Sequence, residues 1–275
     1  MRDPIELYEY PKEWLKKGDE KKIASGLFIR TPKGWLRRGI TTGTTASASI
    51  IASIASLKEE LKKVTVKTPV GIEVSVKVSA KNGIGKARKF SGDHEFDVTN
   101  GVFFVSKTTE EDGIKFGKGI AKDKDFIVSD SAKKQLWKNF EFACELYNYI
   151  GGVLVEATYK QKSEKLNGIA ILGTTGFVEP WCDKLVKTKV EIAKRYDRIA
   201  VTTGRESWKI AKDRFPDFQP FVFGVHLKEI IKAHSGEIMI VGKPGLLKHV
   251  FGSYNREEIL SSARKLGNVL EVVIC

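Results

Sequence analysis

The second half of the chain alternates apolar, β-branched runs with helix-like segments, and few folds accommodate this alternation. Five runs are predicted to be strands: residues 169–175, 198–204, 220–225, 237–242 and 269–275. The segments between them carry apolar residues three and four positions apart, as amphipathic helices do. Because parallel neighbouring strands need such a crossover, the pattern predicts a doubly wound, Rossmann-like α/β domain with a five-stranded parallel sheet.

Three glycine-containing loops follow predicted strands of this sheet. They are GTTG at 173–176, TTG at 202–204 and GKPG at 242–245. In open parallel sheets, ligands bind beyond the carboxyl ends of the strands, which makes these loops candidate binding positions. The GxGxxG spacing that places a pyrophosphate on a helix end is missing, so a ligand without a pyrophosphate is favoured.

The first half of the chain has a different pattern. A helix is predicted over residues 44–62, and period-two alternation over 64–80 predicts an antiparallel hairpin. Residues 101–108 and 152–160 continue the set of strands. The predicted organisation has three parts: a polar, partly helical lead-in (1–34), an α+β domain with antiparallel strands (35–166) and the α/β domain (167–275).

Charge and apolar content limit the partners. Lys and Arg outnumber Asp and Glu by 47 to 34, a net charge of +13, which attracts polyanions over long range. The basic residues are scattered without a nucleic-acid-binding signature, so a multiply charged small substrate fits the charge as well as nucleic acid does. No apolar run is long enough to span a bilayer and no secretory apolar core is visible, so we expect a cytoplasmic protein without a membrane partner.

The segment LRRGITTGTTASAS, residues 36–49, places glycines and threonines directly before a helix. Backbone amides at a helix N-terminus suit a carboxylate or a phosphate. The alternative is that Thr42 or Thr44 only caps the helix. The lysine and the spacing of a P-loop are absent, which argues against ATP.

An acidic loop and one glutamate are the other candidates for chemistry. SGDHEFDVTNG (91–101) contains Asp93, His94 and Asp97, which could act as acid and base or hold a cation; a solvated turn is the alternative. Glu179 could accept hydrogen bonds from a ribose or an ammonium group, or could instead complement a helix dipole. No histidine or cysteine spacing predicts a protein metal site.

Together these segments resemble the CbiD family. LRRGITTGT (36–44) looks like the family's LRxGxTTGT, SGDHEFDVTNG resembles its GDDPDVTHG, and ILGTTGFVEP (171–180) matches its ILGTTGIVEP almost throughout. The three motifs occur in the family's order, and the resemblance extends from residue 36 to about residue 249.

The resemblance implies S-adenosylmethionine-dependent methylation of carbon 1 of cobalt-precorrin-5B, giving cobalt-precorrin-6A in anaerobic cobalamin biosynthesis. Cobalt would be present only within the substrate, an anionic tetrapyrrole whose acetate and propionate side chains give the excess of positive charge a use. Neither nucleic acid nor a membrane is then an expected partner, and self-association into a homo-oligomer stays open.

The site residues that the resemblance implies fall into three groups. Substrate carboxylates would bind at Arg38, Thr41, Thr42, Gly43 and Thr44. S-adenosylmethionine would bind at Gly173, Thr174, Thr175, Gly176, Glu179, Thr202, Thr203 and Gly204. Acid/base chemistry would fall to Asp93, His94 and Asp97. The threonine-glycine corners are expected to line a single cleft.

Several positions depart from the family pattern. Thr45 stands in place of a cysteine, Asn100 in place of a histidine, and His94 with Glu95 in place of a proline-containing stretch. These departures support a second hypothesis, a catalytically impaired paralogue that binds a corrinoid or an adenosyl ligand without turnover.

Overall fold

The computed structural model describes residues 1–158 and 168–275, which form two compact units. The parallel-sheet unit comprises Met1–Ala24, Phe28–Leu36 and Trp181–Cys275, and the mixed-sheet unit comprises Ser25–Leu27 and Arg37–Pro180. The predicted boundary at residue 166 lies outside the described residues. The C-terminal part of the parallel-sheet unit begins at Trp181, so residues 168–180 belong to the mixed-sheet unit instead.

Short elements open the chain. They are helix α1 (Asp19–Ala24), strands β1 (Phe28–Thr31) and β2 (Gly34–Arg37), which pair with each other, strand β3 (Gly39–Ile40) and helix α2 (Thr42–Ala55).

The N-terminal segment, predicted as a polar lead-in, contributes to the core of the parallel-sheet unit. Tyr8 is fully buried and stacks on Phe221, with ring centroids 5.5 Å apart. Glu6 forms a buried ion pair with Lys189 and accepts a hydrogen bond from the Val222 amide at 3.0 Å. A buried carboxylate needs a charged partner and several donors, and the segment is held in place by these contacts.

Six strands form the main sheet of the mixed-sheet unit. They are β4 (Lys63–Lys67), β5 (Glu73–Lys81), β6 (Ile84–Arg88), β7 (Phe103–Thr109), β8 (Gly113–Phe116) and β9 (Gly152–Thr158). Their order is β4-β5-β6-β7-β9-β8, antiparallel except for the parallel pair of β8 and β9. The predicted hairpin and the two later strands are confirmed, apart from residues 159 and 160, which lie outside the described residues.

Helix α2 packs against this sheet and is completely buried, all 14 of its residues included. Its alanines and serines allow close packing: a Cβ placed on Gly85 of β6 would lie 2.3 Å from the Ser49 carbonyl oxygen. The helix was predicted to continue to residue 62 but ends at Ala55, because the charged stretch that follows is mostly exposed and has no apolar face to bury.

Helix α3 (Asp130–Tyr147) packs against α2 and was not predicted. Its signal is present in the sequence. The side chain of Ser129 caps its N-terminus by accepting from the Ala132 amide. Its buried apolar residues, Ala132, Leu136, Phe140 and Ala143, are spaced by four, four and three positions.

The mixed-sheet unit ends with strand β10 (Phe177–Val178), and the parallel-sheet unit continues with alternating helices and strands. These are α4 (Asp183–Ala193), β11 (Arg198–Thr202), α5 (Arg205–Arg214), β12 (Gln219–Val222), α6 (Leu227–Ala233), β13 (Glu237–Gly242), α7 (Pro244–Phe251), α8 (Arg256–Arg264) and β14 (Val269–Ile274).

The parallel sheet has four strands, in the order β12-β11-β13-β14. The predicted fifth strand, 169–175, is wrong. Ile169 and Ile171 instead form isolated bridges with Ile120 and Val128 inside the mixed-sheet unit. A short apolar run is consistent with burial against many surfaces, and its pattern cannot identify the sheet that receives it.

Both faces of the four-stranded sheet are covered. Ile199 and Ile240 belong to one core cluster, which also contains α4, α6, α7 and α8 residues, while Ala200 and Val241 belong to a second one with Ala211 of α5. Alternate residues of the same strands therefore face helices on opposite sides, as the continuous apolar runs predicted. No helix in the described part of the chain is long and apolar enough to cross a membrane.

Candidate functional site

The two threonine-glycine motifs of the mixed-sheet unit pair with each other. Strands β3 and β10 form a two-stranded antiparallel ladder in which Phe177 lies opposite Ile40 and Val178 opposite Gly39. The ladder continues at the Thr41 amide, which donates to the Gly176 carbonyl at 3.0 Å. The motifs were expected to line a cleft, and instead they contact each other directly.

The GTTG loop and Leu172, the residue before it, also close the N-terminus of α2. The Gly43 amide donates to the Leu172 carbonyl at 3.0 Å, and the Thr42 hydroxyl accepts from the Leu172 amide at 2.8 Å. Thr41 is the N-cap, and its hydroxyl accepts from the Thr44 amide at 3.2 Å. The bonds to the Gly43 and Thr44 amides satisfy two of the donors that a helix N-terminus leaves without partners.

Thr44 is the most enclosed of these threonines, with a fully buried side chain. Its hydroxyl donates to the Gly176 carbonyl at 2.9 Å and accepts from the Gln135 side-chain amide of α3 at 3.0 Å. Thr44 thus joins α2, α3 and the GTTG loop.

Glycine is required in the GTTG loop because the Thr41 and Thr68 side chains come so close. Gly176 has a φ of +90°, and a Cβ there would lie 2.6 Å from the Thr68 Cβ. A Cβ on Gly173 would lie 2.5 Å from the Thr41 hydroxyl oxygen. Both positions exclude a side chain for reasons of packing.

These contacts change the interpretation of the predicted substrate-binding group. The amides of Gly43 and Thr44 and the hydroxyls of Thr42 and Thr44 are bonded to protein groups, and these residues are buried. Of the two alternatives, the geometry favours the capped helix over the anion site, but the capping residue is Thr41 and not Thr42 or Thr44 as predicted.

Arg38 and Glu179 were assigned to different ligands and lie together. The Arg38 Nε donates to Glu179 Oε1 at 2.6 Å, and an Arg38 Nη1 hydrogen bond reaches the Gly26 carbonyl at 3.2 Å. The arginine side chain is fully buried, and 17% of the glutamate side chain is exposed. This charge pair stabilises the motif ladder from inside the unit.

Asp97 occupies the inner side of the acidic loop. Its carboxylate accepts hydrogen bonds from Lys89 Nζ at 2.8 Å, the Ser91 hydroxyl at 2.7 Å, and the Thr99 amide at 2.9 Å. Burial alone would raise the pKa of Asp97. The hydrogen bonds from Lys89, Thr99 and Ser91 outweigh this effect and hold the pKa well below its usual range. An anion this stable is a weak base, which argues for a structural role.

Asp93 and His94 lie on the outer side of the same loop. The exposed Asp93 carboxylate accepts from the Arg37 amide at 2.7 Å, and its own amide donates to the Arg37 carbonyl at 2.9 Å. His94 Nδ1 accepts from the Phe96 amide at 3.1 Å, so that bond does not use Nε2. The loop therefore separates one structural carboxylate from two groups that a ligand can reach.

Thr202, Thr203 and Gly204 lie in the parallel-sheet unit, so the residues predicted to bind S-adenosylmethionine are divided between the two units. Thr202 is buried, and its hydroxyl donates to the Phe221 carbonyl at 3.1 Å. Thr203 accepts from the Lys243 amide at 3.0 Å, which connects the loops after β11 and β13. A Cβ on Gly204 would meet no atom within 4 Å.

Strand order marks this edge of the parallel sheet as a binding position. The chain passes from β11 to β12 on one side of β11, and from β12 it crosses to β13 on the other side. The strand order therefore reverses between β11 and β13. Ligands of open parallel sheets bind at such a switch point, beyond the carboxyl ends of the strands. The loop after β13, residues 242–245, lies at the same edge of the sheet. Its Gly245 also faces open space.

A cavity of about 910 Å³ lies at the opposite, amino edge of the same sheet. Arg198 and Glu237 line it at the starts of β11 and β13, together with Trp208 and Asp217. An ion pair of 2.8 Å joins Arg198 and Glu237. The cavity therefore lies at the edge where parallel sheets seldom bind ligands.

Comparison with known proteins covers nearly the whole chain. The family model described as CbiD matches residues 30–125. A cobalt-precorrin-5B C(1)-methyltransferase of Archaeoglobus fulgidus is 55% identical, with 96% of this chain and 92% of the relative covered. Methyltransferases with the same description from Methanospirillum hungatei (91% and 83% covered) and Methanosarcina acetivorans (90% and 81%) are each 35% identical.

A solved structure has the same fold. It is described as the cobalamin biosynthesis protein cbiD from Archaeoglobus fulgidus, and it matches with a TM-score of 0.93 at 52% identity, covering 99% of this chain and 100% of that one. The described fold is thus that of a cobalamin biosynthesis protein. The chain belongs to the CbiD family, which confirms the resemblance that the three motifs indicated.

Proposed function

We propose that this chain transfers a methyl group from S-adenosylmethionine to carbon 1 of cobalt-precorrin-5B. Relatives that carry this description match at 55% and 35% identity over at least nine-tenths of the chain. The single observation that carries the proposal is the 55% identity over 96% of the chain, because it includes both units.

The methyl donor is assigned to the carboxyl edge of the parallel sheet. The switch point between β11 and β13, the Thr203–Lys243 hydrogen bond and the open space beside Gly204 support this position. A ligand there lies against backbone rather than side chains. S-adenosylmethionine, when bound, supplies a methyl group on a positively charged sulfur.

The GTTG loop is given another role in this proposal. Gly173 and Gly176 pack against Thr41 and Thr68, and the loop carbonyls accept from α2. We therefore assign Gly173, Thr174, Thr175, Gly176 and Glu179 to holding the N-terminus of α2 and Arg38 in position, and Thr202, Thr203 and Gly204 to the cofactor.

Acid/base chemistry is assigned to the outer side of the acidic loop. Asp93 is fixed by two hydrogen bonds to the Arg37 backbone, and His94 presents Nε2. Either group can accept a proton when the substrate is rearranged around carbon 1, provided that it lies within hydrogen-bond reach of the substrate. Asp97 positions the loop through Lys89 and Ser91.

Methyl transfer to cobalt-precorrin-5B in an anaerobic assay tests the activity. Methylated product that depends on S-adenosylmethionine supports the proposal. Binding of either ligand without any product would support the second hypothesis, the impaired paralogue. His94→Gln is expected to lower kcat at unchanged affinity for S-adenosylmethionine, and an unchanged kcat in both His94→Gln and Asp93→Asn would remove the acid/base assignment.

Ligand-induced stabilisation tests the cofactor position. S-adenosylmethionine at a hundredfold excess over Kd stabilises a protein by about 2.7 kcal/mol. Gly204→Leu is expected to abolish the resulting rise in Tm while lowering the Tm of the free protein only modestly, because the new side chain enters open space but is a poorer N-cap of α5 than glycine. Asp217→Leu, exposed at the amino edge, is the matched control. Loss of the rise in Asp217→Leu alone would move the ligand to the 910 Å³ cavity.

A further inference from the structure

One face of the six-stranded sheet carries a concentration of positive charge that the proposed site does not use. Helix α2 covers the other face, towards which the buried positions of β4 to β7 point. The uncovered face presents exposed cations on four strands, β5, β6, β7 and β8: Lys77, Lys81, Lys86, Arg88, Lys107 and Lys115. Acidic residues on it are few, and one of them, Glu156, is paired with Lys107 at 2.7 Å.

The cations are densest around one aromatic ring. Arg88 lies directly opposite Phe103 in the ladder of β6 and β7, and Lys86 lies opposite Val105. Lys86 Nζ is 4.1 Å from the Phe103 ring centroid and the Arg88 guanidinium is 5.9 Å from it. Within residues 1–158 and 168–275, neither Lys86 nor Arg88 has a carboxylate partner, so both charges remain available to an anion.

This cluster adjoins the acidic loop. A Cβ on Gly101, the last residue of the loop, would lie 3.2 Å from Arg88 Nη2. The same loop exposes two apolar side chains, Phe96 at 78% and Val98 at 72%. The cation cluster and the adjoining loop together offer both charged and apolar contacts, which suits an organic polyanion.

We propose that Lys86, Arg88 and Phe103 form the docking surface for the carboxylate side chains of the substrate, on the face that adjoins the loop carrying Asp93 and His94. This inference rests on the proposed function, since the occupant is the anionic macrocycle of cobalt-precorrin-5B. Charge complementarity supports it: the substrate carries several carboxylates, and the two cations can each donate charge-assisted hydrogen bonds to one.

Single-stranded nucleic acid fits this face less well. Sheet surfaces that bind single strands stack bases on uncovered aromatic rings. Phe103 is the aromatic side chain that the described strands present on this face, and Lys86 lies over its ring. The surface thus provides charge without a stacking platform.

Removal of the two charges tests the surface in the full-length protein. Lys86→Gln/Arg88→Gln is expected to raise KM for cobalt-precorrin-5B about tenfold or more, with kcat and the affinity for S-adenosylmethionine unchanged. Lys133→Gln/Lys134→Gln removes the same charge from exposed positions of α3 and should leave KM unchanged. An equal effect of both double variants would mean that only net charge matters, and an unchanged KM in the first would overturn the proposal.

A binding measurement separates this proposal from the enzymatic one. Cobyrinic acid, a corrinoid polycarboxylate, and cobinamide, in which side-chain carboxylates are amidated, serve as probes that need no turnover. Wild type should bind cobyrinic acid more tightly than cobinamide, and Lys86→Gln/Arg88→Gln should lose that preference. A retained preference would overturn the docking surface even if methyl transfer is active. A preference lost as expected would uphold it even if no product forms. A different outcome is that wild type binds an oligothymidylate more tightly than cobyrinic acid. If Lys86→Gln/Arg88→Gln abolished only the oligothymidylate binding, the face would be assigned to nucleic acid.

Discussion

The guanidinium of Arg38 and the carboxylate of Glu179 form a 2.6 Å ion pair between residues 141 positions apart in the chain. Arg38 immediately precedes β3 and Glu179 immediately follows β10, so the pair closes the ladder that joins the two threonine-glycine motifs. The two motifs share a composition because each satisfies the hydrogen bonds of the other. The Leu172 and Gly176 carbonyls accept hydrogen bonds from amides at the start of α2, and the missing side chain of Gly173 leaves room for the Thr41 side chain.

Charge removal at this pair should be costly for stability. We expect Arg38→Met and Glu179→Leu each to lower the free energy of unfolding by about 3–5 kcal/mol, because each leaves one charge of a buried pair uncompensated by the other. The double variant should cost clearly less than the sum of the two, as measured by urea unfolding of all four proteins. Additive costs would show that the two side chains act independently.

The hydroxyl of Thr44 should matter more than its methyl group. Thr44→Val removes the donor to the Gly176 carbonyl and the acceptor for Gln135, and we expect a loss of about 1–3 kcal/mol because these buried groups then lack a partner. Thr44→Ser keeps the hydroxyl and should retain most of the stability. Equal destabilisation by the two variants, compared by thermal unfolding, would place the contribution in packing instead.

Local pattern was sufficient for most of the fold. The antiparallel hairpin and four parallel strands were predicted because their residues alternate, or run continuously apolar, over a length that only a strand fits. The run at 169–175 was assigned to the wrong sheet because the identity of its partner depends on tertiary contacts, here the bridges to Ile120 and Val128. Helix α3 was missed although Ser129 and its apolar spacing signalled it.

The sequence predicted which residue types form the candidate site, but not how those residues are arranged. Residue types marked the helix cap and the acidic loop, but sequence cannot show which hydroxyls the protein itself uses. Thr44 and Asp97 are saturated by protein donors and acceptors from distant segments. The cation cluster of Lys86 and Arg88 was invisible because two side chains become neighbours of Phe103 only through the register of β6 and β7.

Asp97 should give the protein a specific acid sensitivity. Its pKa is lower in the folded state than the ordinary value near 4, so its contribution to stability is complete above that pH and is lost as the pH falls towards the folded-state pKa. Asp97→Asn should therefore be less stable than wild type at neutral pH, and the difference should shrink below about pH 4. Urea unfolding across this range measures it, and a difference independent of pH would contradict the assignment.

Substitution of two glycines with similar φ values distinguishes the cost of backbone strain from the cost of a steric clash. Gly71 and Gly176 have φ values of +83° and +90°, but a Cβ meets nothing within 4 Å at Gly71 and lies 2.6 Å from the Thr68 Cβ at Gly176. Gly71→Ala should thus cost only the conformational term, about 1–2 kcal/mol. Gly176→Ala should cost about 1–3 kcal/mol more, because the loop must move away from the Thr68 side chain. Both free energies come from urea unfolding under the same conditions. If the two variants were equally stable, the GTTG loop would be able to shift away from Thr68 at little cost, and the close approach of that side chain would not be what restricts Gly176.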